Sequence, residues 1–172
     1  MNFILKRIAN LLIIILLFSC SVEKTKTALA KNEPSLDEMI GQMIMFGFRG
    51  LYIDEVSDTV KQHIKSGNVG GVILFDYDVI RKKVIRNIES PEQLKKLIGD
   101  INAISTGKLF MAVDQEGGRV NRLKTKYGFP STVSNKYLGT LNNLDTTKYY
   151  AKRNAETLEK MGFNVNFAPD VD

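Results

Sequence analysis

The chain alternates between short apolar runs and longer segments whose apolar residues recur every three or four positions. Residues 43–46, 70–75 and 109–113 are continuously apolar or glycine, and 164–168 is a shorter, mixed run of the same kind. Apolar character on both faces over so few residues predicts buried strands. Between them lie helical patterns. Residues 54–66 carry Val56, Val60 and Ile64 and stop at Gly67; residues 90–105 open on Ser90-Pro91 and carry Leu94, Leu97, Ile98 and Ile101; residues 146–161 end before Gly162. Proline is tolerated at the first helical position, and glycine commonly follows the last. A further helix start is predicted at Ser35, with Glu38 at the capping-box position. Strands alternating with helices predict parallel βα units in an α/β fold. The alternation alone fits either half of a (β/α)8 barrel or a small doubly wound sheet.

The pattern differs before residue 35. Lys6 and Arg7 precede an apolar run over 11–18, which has the order of a secretory leader. The run falls well short of the ~20 apolar residues that span a bilayer as a helix. It closes on Leu17-Phe18-Ser19-Cys20, which resembles a bacterial lipobox, although Phe18 is bulkier than is usual there. Residues 1–20 are therefore expected to be a lipoprotein signal peptide with Cys20 lipidated. The polar stretch 21–34 is expected to be a flexible tether, and 35–172 the folded domain. These features predict a lipid-anchored protein of the bacterial cell envelope, facing the periplasm or the exterior. The alternative is an ordinary leader, or an uncleaved anchor, with a chance cysteine.

Composition narrows the chemistry. Of 172 residues, 44% are hydrophobic and 25% charged, which permits a sizeable core. The net charge of +5 is mild and the basic residues are scattered, so charge gives no case for nucleic acid as a partner. The one basic run, Arg81-Lys82-Lys83 with Arg86, reads as a solvated loop or helix start. A single cysteine, Cys20, excludes an intramolecular disulfide, and a single histidine, His63, excludes two-histidine metal motifs. His63 lies in a stretch that reads as an exposed helix. No glycine-rich phosphate-binding signature follows any strand, and no metal or organic cofactor is implied.

Polar residues bunch directly after the third apolar run, as Asp114-Gln-Glu-Gly-Gly-Arg-Val-Asn-Arg122. Sites in parallel α/β folds form at the carboxyl ends of strands. Paired glycines allow positive φ, and the carboxylates and guanidiniums around them could cradle a polar ligand or merely tie the loop together. Asp114 and Glu116 could also be read as the paired carboxylates of a glycosidase, since residues two apart on a strand project to one side. Against this, one short strand end is poorly placed to flank a glycosidic bond from opposite sides.

Residues 112–120 with Arg122 resemble the signature near the start of family 3 glycoside hydrolases, and among these the bacterial β-N-acetylhexosaminidases most. Ile40-Gly-Gln-Met43 with Phe46-Gly47, the 70–75 run, Pro130-Ser131, Leu138-Gly139, Ala155 with Leu158, and 162–169 with Asp172 agree in order. The resemblance implies a (β/α)8 TIM-barrel-type catalytic domain, with about its first four βα units present here. It implies an exo-acting, retaining hydrolase releasing terminal β-linked N-acetylglucosamine, so a carbohydrate is the expected substrate. Asp114 and Arg122 match residues that hold the terminal sugar. Glu116, Gly117, Gly118, Arg119 and Asp172 are expected in supporting roles, Glu116 and Arg119 bracing the turn. Asp170 departs from the small apolar residue often found at its position. The family's nucleophile and acid/base match no residue up to 172, so the chain is expected to be inactive alone and part of a working enzyme. The alternatives are a truncated, non-catalytic glycan-binding lipoprotein, or a β-glucosidase or β-xylosidase of the same family.

Overall fold

The computed structural model of the chain describes residues 33–170; Cys20, the leader, most of the tether and Asp172 lie outside them. The chain divides into Met1–Leu36 and Asp37–Asp172, and the fold described is that of the second unit. Its elements run α1 (Leu36–Gln42), β1 (Met45–Gly47), α2 (Asp58–Lys65), β2 (Gly71–Ile73), α3 (Pro91–Ile104), β3 (Phe110–Val113), α4 (Asn135–Leu141), α5 (Leu144–Met161) and β4 (Val165–Asn166), with 3-10 turns at Ile53–Glu55 and Thr125–Tyr127.

The four strands form one sheet in the order β1-β2-β3-β4, every pair parallel. A doubly wound sheet reverses its strand order at a switch point. Here each new strand is added on the same side, which is the progression of a barrel wall. The α/β, barrel-type fold is thus present as four parallel strands with their connecting helices.

Register assigns the two faces. Met45 pairs with Gly71 and Gly71 with Phe110; Gly47 pairs with Ile73, Ile73 with Ala112 and Ala112 with Val165. Side chains alternate along a strand, so Phe46, Val72, Leu74, Met111 and Val113 share the other face. Val72, Leu74, Met111 and Val113 are fully buried and form the core with Ile64 of α2, Leu94, Leu97, Ile98 and Ile101 of α3, and Leu158 and Met161 of α5. The opposite face is only partly covered among the described residues: Ala112 is fully buried, but Phe110 is 57% and Phe167 51% exposed.

Local chemistry sets the helix ends. Ser90, Ser134 and Asn143 accept hydrogen bonds from the backbone N–H groups of Gln93, Tyr137 and Thr146, capping α3, α4 and α5. Asn143 starts α5 two residues earlier than the apolar pattern predicts. The predicted 54–66 helix is split, because Ser57 caps a new helix at Asp58 and Val56 turns extended. The short helix α4 has no counterpart in the sequence pattern, which Gly139 and Asn142 obscure. His63 is exposed on α2, as expected.

Candidate functional site

The carboxyl end of β3 runs straight into the predicted polar turn. Asp114 lies two residues beyond Ala112, on the open side of the sheet. Its Oδ2 accepts a hydrogen bond from Arg122 Nη2 at 3.1 Å, and both side chains are 24% exposed. The two residues singled out from sequence are therefore brought into one contact at the rim.

The turn that returns Arg122 to Asp114 is held from beneath by Gln115. Its side chain is 1% exposed. Oε1 accepts from the N–H groups of Arg122 at 2.9 Å and Leu123 at 3.0 Å, and Nε2 donates to Asn121 Oδ1 at 2.8 Å. Its N–H donates to Asn166 Oδ1 on β4 at 2.9 Å, and its carbonyl accepts from Asn154 of α5 at 3.0 Å. Glu116 braces the other side, accepting from the Asp170 N–H at 3.1 Å and from Asn135 Nδ2 at 3.2 Å. Gly117 and Gly118 have φ of +89° and +63°. A Cβ on Gly117 would lie 2.2 Å from the Val133 carbonyl oxygen, so only glycine fits there. Arg119 corrects one expectation: it is exposed and makes no hydrogen bond or ion pair among the described residues. Gln115, not Arg119, shares the bracing with Glu116. Glu116 and Asp114 engage different partners, Asp114 pairing with Arg122 and Glu116 with Asn135 and the Asp170 N–H, and both border the rim cleft.

The structure adds residues that the sequence reading passed over. Asp76 follows β2 as Asp114 follows β3, and it is 1% exposed. It accepts a hydrogen bond from Lys124 and lies 3.5 Å from Arg122 Nη1. Its Oδ1 makes no hydrogen bond, so the contact to Arg122 is purely ionic. Arg122 thus sits between two carboxylates, with the Phe75 ring 5.7 Å from its guanidinium carbon. Strand-end position was the available signal for Asp76. Asp78, 3% exposed, receives Arg49 through two nitrogens at 2.5 and 3.2 Å, and this pairing lowers its carboxyl pKa to about 2. Arg81, Lys82 and Lys83 form an exposed loop, as predicted. Arg86 departs from that reading: it turns inward, its guanidinium carbon 4.7 Å from the centroid of the Phe75 ring.

An open cleft of about 610 Å³ borders Asp114, Arg122, Val120 and Phe167. A second cavity of about 370 Å³ lies behind the turn, against α4 and α5. Its lining includes Leu138, Tyr150, Ala155 and Leu158 but neither Asp114 nor Arg122. The rim cleft is the one that the charged pair addresses.

A barrel-type parallel sheet with a carboxylate–guanidinium pair at its carboxyl edge is an α/β domain whose polar cluster lies on the edge where sites form in such barrels. Residues 35–172 match the glycosyl hydrolase family 3 N terminal domain, and the chain belongs to that family. It is 35% identical over 123 residues to a beta-hexosaminidase of Nitrosomonas eutropha, a match covering 68% of this chain and 32% of that protein. Its fold is similar to the glycoside hydrolase family 3 β-N-acetylglucosaminidase of Paenibacillus sp. FPU-7, with a TM-score of 0.68 and 31% identity, over 80% of this chain and 24% of that one. It is also similar to NagZ of Neisseria gonorrhoeae in complex with N-trifluoroacetyl-D-glucosamine, at TM-score 0.57 and 28% identity, over 73% of this chain and 35% of that one. The chain spans about a third of the length of the curated relatives it matches.

Proposed function

We propose that this chain supplies the sugar-holding part of a β-N-acetylhexosaminidase that releases terminal β-linked N-acetylglucosamine. The Asp114–Arg122 pair at the mouth of the rim cleft carries the reading. A carboxylate accepts from sugar hydroxyls, and a guanidinium donates to them along fixed directions. Asp76 and Gln115 hold Arg122 from behind, so the pair meets its ligand already oriented, which lowers the ordering cost of binding. The likeness to a β-N-acetylglucosaminidase and to NagZ bound to N-trifluoroacetyl-D-glucosamine supports the choice of sugar. The reading assigns no nucleophile or general acid to this chain: Asp114 and Asp76 are ion-paired, and Glu116 caps the Asp170 N–H. Hydrolysis needs two carboxyl groups on opposite sides of the glycosidic bond. In this reading the carboxylates of the turn bind and position.

Titration of N-acetylglucosamine into the chain tests the clamp. Asp114→Asn is expected to weaken binding about tenfold, roughly the loss of one charge-assisted hydrogen bond, while the thermal midpoint stays close to wild type. Equal affinity in both proteins would remove Asp114 from the site. The unaltered chain is expected to give no turnover of an aryl β-N-acetylglucosaminide.

The same reading places the protein on a bacterial envelope through lipidated Cys20, facing external glycans. Several acyl chains give firm anchoring at roughly 0.8 kcal/mol per buried CH₂. Cys20→Ser is expected to move the protein to the soluble fraction or to halt its processing; unchanged membrane fractionation would exclude the anchor.

A further inference from the structure

The loop between β2 and α3 carries a surface that the sugar clamp does not use. Beyond Asp76 the chain folds back on itself as a hairpin. The Asp78 N–H donates to the Lys83 carbonyl at 2.9 Å, and the Lys83 N–H donates to the Asp78 carbonyl at 3.2 Å. Contacts from distant residues hold its base. Arg49 grips the Asp78 carboxylate through two nitrogens, Lys124 pairs with Asp76, and the Tyr127 hydroxyl donates to the Val84 carbonyl at 3.1 Å. The Asp78 carboxylate also accepts from the Arg81 N–H at 3.2 Å, which ties down the turn itself. Hairpin tips usually carry glycine, asparagine or aspartate. This one carries Val79-Ile-Arg-Lys82, with Lys82 at φ +51°, where glycine and asparagine are favoured. Val79 and Ile80 are 74% and 83% exposed, and Val84 on the returning arm is 55% exposed. A braced base thus presents aliphatic side chains to solvent.

The charges sort in the same way. Asp76 and Asp78 are the only acidic residues between Leu74 and Arg86, and both are buried against cations. Arg81, Lys82 and Lys83 are exposed. The hairpin therefore shows solvent two aliphatic side chains at its tip, followed directly by three positive charges. That combination suits an anionic lipid surface, where apolar side chains enter the headgroup boundary and cations meet lipid phosphates. A small acidic ligand would satisfy the cations but leave Val79 and Ile80 in water. We infer that the Val79–Lys83 hairpin is a docking loop for an anionic bilayer. This does not depend on lipidation of Cys20. An acyl anchor would hold the chain near a bilayer, whereas the hairpin sets which part of the folded unit touches it. The hairpin follows β2 at the carboxyl edge of the sheet, so docking brings the edge that carries Asp114 and Arg122 toward the lipid. That consequence rests on the sugar-clamp reading; the docking itself does not.

The chain contains no tryptophan, so Ile80→Trp places a single reporter at the tip. The full chain with Ile80→Trp and Cys20→Ser is mixed with vesicles of equal parts phosphatidylcholine and phosphatidylglycerol, and separately with phosphatidylcholine vesicles, both with brominated acyl chains. On the anionic vesicles the emission is expected to shift to the blue and to be quenched; on the neutral ones it should stay as in buffer. Raising the ionic strength to about 1 M shortens the screening length to about 3 Å and should reverse most of the quenching. Adding Arg81→Gln, Lys82→Gln and Lys83→Gln together should abolish it. Val79→Trp repeats the measurement from the neighbouring position should Ile80→Trp fail to fold. The inference is overturned if neither kind of vesicle quenches the reporter, if both quench it equally, or if the triple glutamine variant is quenched as strongly. It is also overturned if the emission is already blue-shifted in buffer in proportion to protein concentration, which would mark a contact between copies. A blue shift produced equally by soluble polyglutamate would assign the loop to an acidic protein and overturn it as well. Fractionation of Cys20→Ser reads the anchor, and N-acetylglucosamine titration of Ile80→Trp reads the clamp, so each can fail without the others.

Discussion

At the scale of single residues, the turn after β3 separates side chains that hold the fold from those that face the ligand. Gln115 turns its side chain inward, onto Asn121, Arg122 and Leu123. Gln115→Leu would keep the volume but leave these buried polar groups unmatched, at roughly 1–3 kcal/mol for each unsatisfied group. A loss of about 3 kcal/mol is expected in urea unfolding. Arg119→Ala, on the exposed shoulder of the same turn, should change stability by less than about 0.5 kcal/mol. If the two variants unfold alike, the turn is not organised around Gln115. The sequence made the turn visible as charged residues around paired glycines at a strand end, and the family resemblance singled out Asp114 and Arg122 within it. It left Gln115 and Asp76 in the background. A glutamine or aspartate looks the same in sequence whether it is solvated or buried, and only the neighbours brought by β4, α5 and the Lys124 loop decide which it is.

At the scale of elements, the clearest case was α3. Leu94, Leu97, Ile98 and Ile101 recur at helical spacing, and all four are buried under the sheet. The strands were visible as apolar runs, but the paired segments are shorter than the runs, because pairing depends on register with neighbours rather than on hydrophobicity. The loop between β2 and α3 was the least legible. Its order comes from contacts distant in sequence: Arg49 on Asp78, and Asn87 Nδ2 on the carbonyls of Phe48 and Gly50. The Arg49–Asp78 pair gives this loop a pH signature. Asp78 has its folded pKa lowered from 3.8 to about 2, so its contribution to stability is complete above the unfolded value and is lost as pH falls through the folded one. Wild type should therefore lose stability between about pH 4 and pH 2 more steeply than Asp78→Asn, whose stability starts lower and is flatter over that window. Parallel acid-unfolding curves for the two proteins would show that the pair contributes nothing to the fold.

At the scale of the whole unit, strand order settles what the alternation of strands and helices left open. A sheet that grows β1-β2-β3-β4 in one direction keeps one face under its helices and turns the other toward a barrel interior. The carboxyl-end residues Phe75, Asp114 and Phe167 then converge on that interior. Sequence could not reveal this, since both faces of the strands are apolar and only the register tells Phe110 from Met111. Adjacent residues on β3 test the assignment. Met111 is fully buried between sheet and helices, so Met111→Ala should cost about 2–5 kcal/mol through lost burial and a residual cavity. Phe110, one position earlier and 57% exposed, should lose far less on truncation to Ala despite its larger side chain. Phe110→Ala with Phe167→Ala should also reduce binding of a hydrophobic dye, because both rings contribute to an exposed apolar surface. Urea unfolding of the single variants, with dye fluorescence of the double variant, decides the matter. A large loss at Phe110 with a small one at Met111 would mean that the faces are exchanged. Asp114 would then point under the helices instead of into the cleft, and the sugar clamp could not form.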